Sequence, residues 1–213
     1  MFALPGVSLA LTPPSMTFEL TNCEENLPSC QWIVASGDIE QETANRFQAF
    51  VSKAQLPLPL PMVVLHSGGG NVLGALALGE AFRNAGVTTA VGKSVRVVEH
   101  STGQASWYIT KGSCFSACLY SFMGGVDRLI TPKGMLPSRL GIHALYLDPN
   151  SPDYDKANPN GRWREKLSHL LEQYTIQMGV NPDIVRLSES YGIPDQARLL
   201  SAGEIDRLGL LTR

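Results

Sequence analysis

Met62-Val63-Val64-Leu65-His66-Ser67-Gly68-Gly69-Gly70-Asn71 reads as a buried strand that runs straight into a glycine turn. A short apolar run bounded by turn residues marks a strand covered on both faces. Helical spacing follows over residues 72–85, closed by Gly86, and residues 87–91 form a further apolar strand. Upstream, Trp32-Ile33-Val34-Ala35-Ser36-Gly37 is another such strand. Residues 43–54 then set Ala44, Phe47, Phe50, Val51 and Ala54 on one helical face. The intervening Leu56-Pro57-Leu58-Pro59-Leu60-Pro61 excludes helix and is read as an extended linker. This alternation of strand, helix, strand, glycine turn, helix and strand predicts an α/β domain with a mainly parallel sheet and right-handed crossovers.

Working outward, residues 95–110 break the pattern. Two strand-like runs flank Ser101-Thr102-Gly103-Gln104, which predicts an inserted hairpin. Gly112-Ser113-Cys114-Phe115-Ser116-Ala117-Cys118 follows, then a short apolar helix over 116–123. A serine among small residues at the head of a helix suits a tight strand-to-helix turn that exposes the hydroxyl. The helix start supplies free N–H groups and positive dipole beside it. Strands are predicted at 127–131 and at 140–146, the latter carrying His143, and an exposed loop at 148–160. Helices are predicted over 162–178, 182–191 and 202–208. Residues 1–31 hold Pro5, Pro13, Pro14 and Pro28 without clear periodicity and are read as an extended arm before a domain over 32–213.

The 213 residues suit a single domain. A net charge of −2 and no clustered Lys or Arg argue against nucleic acid as a partner. The longest apolar runs are broken by Gly and Pro well short of a membrane span. The four cysteines fall in two local pairs, Cys23/Cys30 and Cys114/Cys118. Cys23 and Cys30 enclose a polar, proline-containing stretch that reads as a small disulfide loop, which points to a periplasmic or secreted protein. Two free surface thiols or half a metal site are the other readings, and no matching CxxC or His pair supports zinc. No Lys or Arg precedes Arg46, so no basic leader is expected and the cytoplasm is the alternative location.

Three glycines after a buried strand let the backbone take positive φ and bring N–H groups close to a ligand. Gly68-Gly69-Gly70 is neither GxGxxG nor a lysine-bearing phosphate loop, so no nucleotide cofactor is expected. An oxyanion hole and a merely tight turn are the two readings left. His143 lies in Gly141-Ile142-His143-Ala144-Leu145 and reads as a core histidine or a base. His66 ends a strand, and His100 and His169 read as surface residues. Asp195 lies in a loop before the last helix and reads alone as a turn residue.

In combination, these pieces resemble the proteolytic subunit of the Clp protease. The matching residues are Ser67-Gly68-Gly69-Gly70, Ser116, Ile142-His143, Asp195 and Leu200-Ser201, within residues 32–210. Closer still is the likeness to predicted periplasmic Clp-protease-like proteins, with their Cys-x-Ser-Ala-Cys turn and a cysteine pair before the first strand. The resemblance implies a ClpP/crotonase-type spiral of ββα units and a serine endopeptidase that needs no ATP of its own. In it Ser116 is the nucleophile, His143 its base and Asp195 the group that orients the imidazole. Backbone N–H groups of Gly69 (or Gly70) and Ala117 form the oxyanion hole. A peptide or unfolded segment lies along the strand end at Gly68 and Asn71 as an added strand. Neither metal nor cofactor is implied, and a homo-oligomer is.

The chain departs from that family in several places. Gly68 replaces a proline, and Cys114 and Cys118 flank the serine. If bonded, the two cysteines constrain the serine turn and make activity redox-sensitive; the favoured expectation is two free, buried, small apolar side chains. The arm before Trp32 does not resemble the protease's axial loop, so docking to an unfoldase ATPase is not expected. Two other readings stand beside the peptidase: a non-catalytic binding or assembly module of the same fold, and an acyl-CoA enzyme of the crotonase superfamily. No Glu stands at the glycine turns to serve the latter. A Ser116–Lys111 dyad ranks below all of these.

Overall fold

The computed structural model describes residues 14–23, 30–56, 58–130, 138–146, 162–191 and 197–212. Its centre is a five-stranded sheet in the order β1-β2-β3-β4-β8. These strands are β1 (Thr17–Asn22), β2 (Gln31–Ser36), β3 (Met62–His66), β4 (Thr88–Val91) and β8 (Asp127–Ile130). β2, β3, β4 and β8 run parallel, and β1 is antiparallel to β2. The fold is thus mixed α/β with a mainly parallel central sheet. β1 was not expected. Thr17–Asn22 lies in register against Gln31–Ser36, so the sheet begins upstream of Trp32, inside the stretch read as an arm.

The glycine turn leads from β3 into α2 (Val72–Asn84), which packs beside α1 (Thr43–Ala54) on one face of the sheet. Val63 and Leu65 of β3 point to that side and join Phe47, Leu78 and Phe82 in the main core. Phe47 and Phe82 meet edge to face, centroids 4.8 Å apart. Val64 points the other way, into a second cluster with Trp32 and Ala90. That face is covered by the expected hairpin, β5 (Lys93–Val98) against β6 (Ala105–Thr110), through Trp107 and Ile109. Trp32 Nε1 donates to Ser94 Oγ at 2.9 Å and Trp107 N–H to the Cys23 carbonyl at 3.1 Å. Both faces of β3 are therefore buried, as its unbroken apolar run requires.

A three-stranded sheet, ordered β10-β9-β7, stands beside the first. β7 (Ser113–Phe115) runs parallel to β9 (Arg139–Ile142), and β10 (Arg198–Leu199) is antiparallel to β9. Ser67 stitches the sheets together: its N–H donates to the Ser113 carbonyl and its carbonyl accepts from Phe115 N–H. After β7 comes α3 (Ala117–Met123), buried at every residue and pressed onto α2. A Cβ on Gly124 would meet the Gly79 backbone, so only glycine permits that approach.

The remaining described helices are α4 (Trp163–Gln177), α5 (Asp183–Glu189) and α6 (Ala202–Arg207). Among the described residues, the guanidinium groups of Arg83 on α2 and Arg128 on β8 donate to carbonyls alone. Arg83 donates to Met123, Gly124, Gly125 and Met178, and Arg128 to Gly125, Met178, Gly209 and Leu210. The expected loop over 148–160 lies outside the described residues. Cys23–Cys30 and Cys114–Cys118 are both disulfide-bonded, with Cα atoms 5.6 and 5.2 Å apart. Among the described residues no helix is long and apolar enough to cross a membrane.

α6 starts with a capping box: Ser201 Oγ accepts from Glu204 N–H, and Glu204 accepts in return from Ser201 N–H. Arg198 of β10 donates to Glu204 as well, at 2.6 Å. The Arg198 bond, then those from Ser201, hold the Glu204 carboxyl down at about 2, against an ordinary 4.5. A carboxyl lowered by folding contributes stability above its unfolded value and loses it as pH falls. The melting temperature should therefore drop between pH 4.5 and 2, and the Glu204→Gln variant should show a smaller drop over that window.

Candidate active site

Ser116 joins β7 to α3 with φ 54° and ψ −126°. A non-glycine residue held there costs about 1–3 kcal/mol. The cause is a reversal completed in one residue. Ser116 N–H still belongs to the sheet, donating to the Gly141 carbonyl at 2.9 Å, while its carbonyl already accepts from Leu119 N–H at 3.0 Å. A serine in this position ordinarily turns its hydroxyl back to cap the helix. Ser116 makes no such bond, which leaves Oγ for other work. Ala117, the first helical residue, has no carbonyl one turn back to receive its N–H.

Gly69 lies directly against this elbow. A Cβ there would stand 2.9 Å from Ser116 Cβ and from the Phe115 carbonyl oxygen, and 3.3 Å from Ala117 N. Gly69 and Gly70 take φ of +119° and +126°, which glycine alone adopts freely. The Gly69 N–H donates to Ser67 Oγ at 3.1 Å, so an oxyanion arriving there would compete with that hydroxyl. Ile39 N–H donates to the Gly69 carbonyl, and Asn71 N–H to the Ile39 carbonyl. Asn71 Oδ1 meanwhile caps α2 by accepting from Gly74 N–H at 2.8 Å. Asn71 is thus committed to the fold. Of the two expected substrate residues, Gly68 is left, with no backbone hydrogen bond among the described residues.

His143 sits just past β9, which ends at Ile142, rather than inside a longer strand. Its Nδ1 is 2.8 Å from the Ala144 carbonyl oxygen. A carbonyl only accepts, so Nδ1 carries the hydrogen, and in the neutral ring Nε2 is then the nitrogen with the lone pair. Ser116, Ala117 and His143 line one cleft together with Val72, Leu145 and Ser188. Among the described residues no hydrogen bond joins Ser116 to His143; such contacts commonly close only as substrate arrives. Asp195 lies outside the described residues.

The sequence reading did not single out Glu189. From the end of α5 it accepts Leu145 N–H at 3.2 Å and Arg164 at 2.6 Å, which pins the segment carrying His143. The Glu189→Ala variant should speed amide exchange at Leu145 by about tenfold. Glu189→Gln, whose amide oxygen still accepts, should keep the protection; exchange measured by NMR checks both.

Two titratable groups flank the glycine turn. Burial first, then the charge of Lys93, holds the His66 imidazole below its usual range. His66 Nδ1 accepts from Ser113 N–H at 3.2 Å, so this histidine is neutral and serves β7. Burial and then the charge of Glu40 raise the Asp38 carboxyl, whose Oδ1 would lie 3.9 Å from a Cβ on Gly68.

Cys114 and Cys118 bracket Ser116 and are bonded to each other. The expectation of two free thiols is overturned: the reversal at Ser116 folds the residues two before and two after it together. Among the described residues no group of His, Cys, Asp or Glu could hold a metal ion. No protein-family model matches the chain, and no curated protein matches it.

Proposed function

We propose that this chain is a serine hydrolase that cleaves peptide bonds, in the manner of the Clp-protease family it resembles. The single observation that carries the reading is the backbone of Ser116. A strained residue between strand and helix, its hydroxyl withheld from capping, is the form a nucleophile elbow takes. The lone pair on His143 Nε2, in the same cleft, supplies the base.

In the proposed mechanism Ser116 Oγ attacks the scissile carbonyl carbon while His143 Nε2 takes its proton. The carbonyl oxygen becomes an oxyanion, received by Ala117 N–H and by an N–H of the Gly69–Gly70 turn. The imidazolium then gives its proton to the departing amine, leaving an acyl group on Ser116. Water, deprotonated by the same histidine, releases the acid and restores the serine. The Ala144 carbonyl holds the imidazole in the required tautomer, and the resemblance adds Asp195 as the charge that stabilises the imidazolium.

The spiral of ββα units, a peptide or unfolded-chain substrate and assembly into a homo-oligomer belong to the same proposal. Leu170 and Ile176, exposed at 41% and 62% on α4, support the last. The two disulfides support an oxidising compartment, periplasmic or extracellular. Incubation with a fluorophosphonate, followed by peptide mapping, tests the activity: a single adduct on Ser116 is expected. A folded protein that takes up no probe would favour a non-catalytic binding module.

A further inference from the structure

The elbow carries a disulfide. Cys114 lies in β7, held in register by Leu140 of β9 on one side and by Ser67 on the other. Cys118 lies in the buried second residue of α3. Both side chains have no exposed surface. The bond therefore ties two rigid elements on either side of Ser116, the one residue between them with a backbone that side chains other than glycine's avoid. In an elbow of the G-x-S-x-G type these positions, two before and two after the serine, are glycines because the chain approaches itself there. Here the same approach, with Cα atoms 5.2 Å apart, is spanned by a covalent bond, well within the range a disulfide accepts.

We propose that the Cys114–Cys118 disulfide is a positioning bond that holds Ser116 in its strained conformation, and with it the direction of the Ser116 hydroxyl. The ring is only five residues long, so it restricts the unfolded chain far less than a long loop would, and its effect is local. Buried sulfurs are poorly reached by attacking thiolates, which suits a permanent brace rather than a switch. The catalytic consequence rests on the hydrolase reading; the conformational one does not.

The test uses the full chain and the Cys114→Ala/Cys118→Ala variant, which puts a small apolar residue at each buried position. Amide exchange is followed at Ser116 and Leu119, whose N–H groups bond to Gly141 and to Ser116, and in α2 as an internal reference. Exchange at the two elbow amides should rise about tenfold while α2 stays as in the wild type. The rate of fluorophosphonate labelling should fall about 10²-fold. Adding Ser116→Gly to the double variant should restore protection at Leu119, because glycine adopts the elbow's φ without strain; a bond that merely filled space would show no such rescue.

Unchanged exchange at both elbow amides would overturn the proposal. So would loss of protection throughout α2, which would make the bond a support of the whole fold rather than of the elbow. If the wild type takes up no probe while the exchange and rescue results hold, the hydrolase reading fails and the positioning role stands.

Discussion

Ser116→Ala should abolish fluorophosphonate labelling and lower peptide hydrolysis by about 10⁴–10⁶-fold, because in the proposed mechanism nucleophile and base act as one unit. His143→Ala should lose a similar factor for the same reason. Neither loss should come from unfolding. Ser116 Oγ makes no capping bond, and alanine meets the same backbone penalty as serine, so stability should stay within about 0.5 kcal/mol. Melting temperature and hydrolysis measured on one preparation separate the two effects. Equal hydrolysis in wild type and Ser116→Ala would sink the peptidase reading. Asp195→Asn carries a finer distinction. A loss of orders of magnitude places the carboxylate on the imidazole, as the resemblance implies; a small one means that the Ala144 carbonyl, 2.8 Å from Nδ1, suffices to orient the ring.

Gly69→Ala should be the most damaging change outside Ser116 and His143. The new methyl would sit on a backbone with φ of +119° and 2.9 Å from both the Phe115 carbonyl oxygen and Ser116 Cβ. Neither neighbour can swing aside, because one is backbone and the other is the first atom of its side chain. Strain and overlap together should cost about 3–5 kcal/mol, a fall of roughly 10 °C in melting temperature for a chain of this size. Labelling of Ser116 should be lost with it, since relief pushes the elbow out of place. Gly68→Ala is the control: its Cβ meets nothing closer than Asp38 Oδ1 at 3.9 Å and its φ is not positive, so little change in stability is expected. Urea titrations of the two variants side by side decide the matter.

Much of the architecture was legible because apolar runs and helical spacing report burial directly. β2, β3, β4 and β8, α1, α2 and α3, and the 95–110 hairpin all stand close to where the pattern puts them. β1 escaped although Phe18 and Leu20 alternate with polar residues, because neighbouring prolines suggested an unpaired arm. β7 escaped because three residues are too few to show a period. At the site, residue types and order brought Ser116 and His143 to attention, and both line the cleft. What the residues could not announce is geometry. A serine carries no sign of positive φ, and cysteines four apart suit either a helix face or a sharp reversal. Glu189 gave no signal because its role is set by where α5 meets the His143 segment.

The paired arginines behind the sheet impose an order on folding. Arg128 leaves β8 for the interior and, among the described residues, there finds only carbonyls, at Gly125, Met178, Gly209 and Leu210. Burial and then the nearby charge of Arg83 work against its cation, with Asp127 acting the other way, and among the described residues no carboxylate accepts from either guanidinium. Until residues some 50 and 82 positions further along have arrived, closing β8 over Arg128 would strand an unpaired charge. The βα units before it can form from near neighbours, whereas the last strand must wait for the helices at the far end of the sequence. A refolding chain should therefore gather its amino-terminal half first and seal the edge of its sheet late.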